Sequence, residues 1–62
     1  MNYFNKLNES VRKKFKINDQ FLNKYDLTEI DYLRSQFNKC LIDPNTTLKK
    51  LMKLYKRVSK NS

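Results

Sequence analysis

The chain contains no glycine and only one proline, Pro44. Tight strand turns draw on glycine for positive backbone φ, so a fold built from short β-hairpins is disfavoured. The apolar residues repeat at three and four instead. Phe4, Leu7, Val11 and Phe15 stripe one face of a helix over about residues 2–17, with Tyr3 beside the stripe. The expected fold is therefore all-α.

Two further helices follow from local signals. Asp26-Leu-Thr-Glu29 has the form of a capping box, in which each side chain accepts from the other residue's backbone N–H. Tyr25 before the cap and Ile30 beyond it have the spacing of a hydrophobic staple. The second helix is expected over about 27–41, with Leu27, Ile30, Leu33, Phe37 and Leu41 on one side. Pro44 cannot continue that helix, and it pushes Asp43 out of α geometry. The same pair starts the next helix, Asp43 as cap and Pro44 at the first helical position. That third helix is expected over about 44–59, with a stripe of Leu48, Leu51, Met52, Tyr55 and Val58. Its short connection makes helices two and three a hairpin. Phe21 and Leu22, in the longer first connection, are expected to plug the core.

At 62 residues the chain is one domain at most, 1–62, with a thin core. Small domains often lean on disulfides, metals or a partner. Cys40 is the only cysteine and histidine is absent, so a Cys/His metal cage cannot form within one chain. The support expected is a protein partner or larger complex, with self-association as a variant. No stretch approaches a membrane span, and the first ten residues lack the features of a secretory signal. With a lone cysteine, these point to an intracellular setting.

Net charge is +8 and unevenly spread. Residues 1–18 hold five cations against Glu9, for +4; residues 19–43 hold three against five acids, for −2; residues 44–62 hold six and no acid. Two basic ends flanking an acidic middle allow internal pairing between helices. The excess also projects a field toward an anionic partner.

Catalysis is not expected. The chain has no histidine for proton transfer near neutral pH and no glycine-rich loop to cradle phosphate. Asp26 and Glu29 are accounted for by capping, and Cys40 is read as a small buried hydrophobe. No cofactor or metal is expected. Two residues stand outside the packing pattern. Arg34 falls within the apolar face of the second helix, where it either pairs with Asp31 or points its planar fork at a partner. Leu54 faces away from the stripe of the third helix and, with Leu51 and Tyr55, widens the apolar surface.

Between Val11 and Leu33 the chain resembles LYR-motif mitochondrial assembly factors of the succinate dehydrogenase type. Val11, Arg12 and Phe15 match that family's basic helix, and Asp26, Ile30, Asp31, Tyr32 and Leu33 match its following acidic helix. The resemblance implies an accessory or assembly role through protein–protein contacts. On that reading Arg34, Leu51, Leu54 and Tyr55 form the partner surface. The alternative is a small DNA- or RNA-binding regulator. Its third helix would face the anion with Lys49, Lys50, Lys53, Lys56, Arg57 and Lys60, and Asn45, Thr46 and Thr47 would approach bases, as in a helix-turn-helix. A second alternative lays the third helix on an anionic membrane surface.

Overall fold

A computed structural model of the protein describes residues 3–61, and among them the three expected helices form without strands. They are α1 (Tyr3–Phe15), α2 (Lys24–Asn38) and α3 (Pro44–Asn61), with a 3₁₀ turn at Asp19–Phe21 between the first two. The expected start of α1 at residue 2 lies outside the described residues.

Three helices bury one core because α3 packs against both others, most extensively against α1. At 3.6 residues per turn, Leu51 and Val58 mark the centre of its buried arc. Leu54 and Tyr55 lie on either side of that centre, and both are buried. Leu54 was expected on the surface, yet it is only 2% exposed. The reason is geometric: contact with two helices widens the arc and rotates its centre away from Leu48 and Met52, which are only half-buried. α1 contributes Phe4 and Val11, and α2 contributes Ile30 and Leu33. Leu7, Phe15, Leu22 and Phe37 pack around them.

Polar groups inside are satisfied. The Tyr55 hydroxyl donates to Asn8 Oδ1 on α1, and burial pushes its pKa up. Thr47, which the apolar pattern passed over, is fully buried and donates its hydroxyl to the Asp43 carbonyl at 2.8 Å.

The helix ends show how a glycine-free chain turns. Lys16 and Cys40 both adopt positive φ, 55° and 60°. Each sits one residue past a helix C-cap, where glycine is usual. The Ile17 N–H reaches the Arg12 carbonyl at 3.0 Å, and the Leu41 N–H reaches the Gln36 carbonyl at 2.9 Å. These are the long hydrogen bonds of Schellman motifs, accompanied by Lys16 N–H to Lys13 and Cys40 N–H to Phe37. They stop α1 at Phe15 instead of 17, and α2 at Asn38 instead of 41. Cys40 is consequently exposed, not buried, and Leu41 is 67% exposed, not on the stripe.

The start of α2 also differs from expectation. Its N-cap is Asn23, whose Oδ1 accepts from Asp26 N–H at 2.8 Å, while Asp26 Oδ2 accepts from Asn23 N–H at 3.2 Å. The box is thus Asn23/Asp26, one turn earlier than Asp26/Glu29. In the earlier box Asp26 caps its own helix with Oδ2, while Oδ1 of the same buried carboxylate faces Arg57 on α3. Tyr25 is exposed and makes no staple, and Phe21, expected to plug the core, is half exposed. The start of α3 is as expected: Asp43 Oδ1 accepts from Thr46 N–H at 2.7 Å.

Two predictions follow from these ends. Forcing an L-residue into the left-handed region costs about 1–2 kcal/mol, and glycine's extra chain entropy offsets part of that gain. Lys16→Gly and Cys40→Gly should each raise stability, by about 0.5–1 kcal/mol, in chemical denaturation. Separately, the Thr46 backbone N–H holds the Asp43 carboxyl below its ordinary 3.8. A lowered folded pKa contributes stability above the unfolded value, lost as pH falls through the folded one. The Tm difference between wild type and Asp43→Ala should therefore be full at pH 5 and shrink toward pH 2.

Candidate nucleic-acid interface

The charged groups divide by residue type. Arg12 pairs with Glu9 at 2.7 Å and with Asp19, tying α1 to the 3₁₀ turn. Arg34 pairs with Asp31. Arg57 contacts Glu29 Oε2 at 2.9 Å and Asp26 Oδ1 at 3.5 Å, tying α3 to α2. Three arginines thus engage five of the six acids, and the sixth, Asp43, caps α3. No lysine ion pair occurs among the described residues. Arginine suits this work because its fork can hold two carboxylates at once, whereas a lysine ammonium is a strongly hydrated point charge.

Five of those lysines line the outer face of α3. All five are exposed: Lys49, Lys53, Lys56 and Lys60 on the side opposite Leu51 and Val58, and Lys50 on the flank that lines the α2–α3 groove. One basic row along one helix results, with no carboxylate on α3. Arg57 shares the flank and is also exposed, but it is engaged by two carboxylates of α2. The hydrogen bond it donates to Glu29 raises its pKa above the ordinary value, and its guanidinium lies 5.9 Å from the Tyr25 ring centroid. Of the six cations singled out for an anionic partner, five are free to meet one.

A groove runs between α2 and α3, lined by Glu29, Tyr32, Lys50, Lys53 and Arg57, with Leu33 and Leu54 beneath. The tyrosines bordering α3 were not singled out by sequence reasoning. Tyr25 had been given a staple role and Tyr32 a place in a family-like helix. Their signal was available: residues seven apart share a helix face, and this one points away from Ile30 and Leu33.

The structure does not assemble the expected protein-contact surface. Leu51, Leu54 and Tyr55 are core residues, so truncating them empties the interior and does not trim a surface. Arg34 lies on the other flank of α2, where besides Asp31 it sits 5.3 Å from the Phe4 ring centroid. Asn45 is exposed beside the α3 N-terminus, but Thr46 is half-buried and Thr47 buried, so the three do not form an open reading edge. The residues that carry the likeness to LYR-motif factors have packing and pairing work here. Val11, Asp26, Ile30 and Leu33 are buried, Arg12 and Asp31 are ion-paired, and Tyr32 is exposed. Among the described residues, no group of three or more His, Cys, Asp or Glu side chains could hold a metal ion, and no helix is long and apolar enough to cross a membrane.

The division between paired arginines and unpaired lysines is testable by stability alone. Arg57→Ala should lower stability by about 1 kcal/mol, since it unpairs the buried Asp26 as well as Glu29. Lys53→Ala should stay within about 0.5 kcal/mol of wild type. Equal effects in urea titrations would contradict the division.

No protein-family model matches the chain, and no curated protein or solved structure matches it.

Proposed function

We propose that this is a small, non-enzymatic nucleic-acid-binding protein that meets phosphate with the outer face of α3. One observation carries the reading: none of the five exposed lysines on that face is in an ion pair, since arginines hold five of the six acids and the sixth, Asp43, caps α3 and touches the row only through the field of Lys49. An uncompensated row of ammonium groups on a rigid helix attracts a polyanion and gains affinity as condensed counterions are released. Lysine contacts of this kind position a phosphate backbone without reading sequence. Binding is therefore expected to be tolerant of base sequence.

The other readings draw less support. A membrane-lying α3 needs its apolar arc for lipid, and that arc is engaged in the core. An accessory role through protein contacts is favoured by one observation, the exposed Leu41 beside Phe37, Cys40 and Ile42 at the α2–α3 turn. That patch is lined by none of the five lysines.

The test is binding to a DNA duplex across a salt series. Wild type should bind at low salt and weaken steeply as salt rises, with a log–log slope that falls by about 0.9 for each phosphate contact removed. Lys53→Ala/Lys56→Ala should flatten the slope by about twice that, with helicity unchanged. Absence of binding at low salt, or affinity indifferent to salt, refutes the proposal.

A further inference from the structure

The lysine row explains phosphate binding, but it leaves the exposed aromatic rings beside it without a role. Tyr25 is 70% and Tyr32 61% exposed, and both border α3. They are seven residues apart, so they stand on one flank of α2 with about 10 Å of helix between them. Phe21, 49% exposed, lines a depression with Tyr25 and Arg57 at the start of α2. A 62-residue chain has few large apolar groups with which to build a core. Here three of its eight aromatic rings stand in solvent along one edge.

That edge faces the basic row across the groove. Tyr32 borders Lys50 and Lys53 directly, and Tyr25 carries the Arg57 guanidinium over its ring. The two acids on this side, Asp26 and Glu29, share the one guanidinium of Arg57; the single negative charge left over is outweighed by Lys50 and Lys53 on the same groove. The result is a track of ammonium groups running beside aromatic faces. A duplex uses only the first, since its base faces are stacked inside and only base edges reach the grooves. A single strand uses both: phosphates follow the lysines while unstacked bases lie on the rings.

Building on the phosphate-binding reading of α3, we infer that the ligand is single-stranded nucleic acid, with Tyr32 and Tyr25 as base-stacking platforms and Lys50 and Lys53 as the adjoining phosphate contacts. Tyr32 is central because it lies in the groove itself. Its hydroxyl accepts from Gln36 at 3.0 Å, which steadies the side chain one turn along the same flank. Stacking needs the ring and not the hydroxyl, so phenylalanine should serve in its place.

The experiment compares a thymidine oligonucleotide of about 12 nucleotides with a duplex of equal phosphate number, read by anisotropy and by tyrosine fluorescence. Wild type should prefer the single strand, with its tyrosine emission quenched on binding. Tyr32→Ala should weaken single-strand binding by roughly 5- to 150-fold, the range of one lost base stack. Duplex affinity should stay unchanged. Tyr25→Ala should act in the same direction, and Tyr32→Phe should bind as wild type does. Both positions are exposed, and circular dichroism of each variant shows whether the helices persist. If strand and duplex bind equally and neither alanine variant matters, the stacking inference is overturned while the lysine row retains its role. If wild type binds neither, the phosphate reading fails and the inference with it.

Discussion

Tyr55 stands where the fold is joined. It is fully buried on α3, in one apolar cluster with Phe4, Val11, Leu51 and Leu54. Its hydroxyl donates to Asn8 across the α1–α3 contact. A buried hydroxyl without a partner costs about 1–3 kcal/mol, so Asn8 turns a liability into an orienting contact. With α3 held against α1 in this way, α2 closes the remaining side through Ile30 and Leu33. The outer face of α3 is then whatever is left, and what is left is lysine.

Electrostatics repeats that logic. A chain with fourteen cations and six acids cannot neutralise itself, so the placement of the acids decides where the field points. Arg12, Arg34 and Arg57 gather five carboxylates at seams between elements or along one helix, where they support packing. Among the described residues the lysines form no ion pair. The charge left facing solvent is therefore separate, residue by residue, from the charge that holds the helices together.

Much of this was legible in the amino-acid sequence, and the rest was not for identifiable reasons. The stripe Phe4, Leu7, Val11 and Phe15 and the Asp43-Pro44 start are local signals, and they read correctly. The start of α2 offered two overlapping boxes, Asn23/Asp26 and Asp26/Glu29, and local chemistry favoured the one with glutamate. A contact from Arg57, thirty-one residues away, accompanies the other choice. The ends of α1 and α2 were hidden because lysine and cysteine occupy positions where glycine announces the stop. Leu54 misled because the width of a buried arc depends on how many neighbours a helix has, which periodicity does not contain. For the interface, the lysines were visible as a run. Freedom from pairing and proximity to Tyr25 and Tyr32 became visible only in three dimensions.

The contact between α1 and α3 also bears on how the chain assembles. The α2–α3 hairpin forms from near neighbours, with a small loop-closure cost. Yet the largest packing surface joins the two helices farthest apart in sequence, and Phe4, fully buried, comes from the first turn of α1. A hairpin alone lacks Phe4 and Val11 and leaves the Tyr55 ring open to water. No partial structure therefore collects most of the burial, and the three helices are expected to form and melt as one cooperative unit. In most small domains the end segments can fray while the middle persists. Here fraying of α1 removes the wall against which everything else is packed.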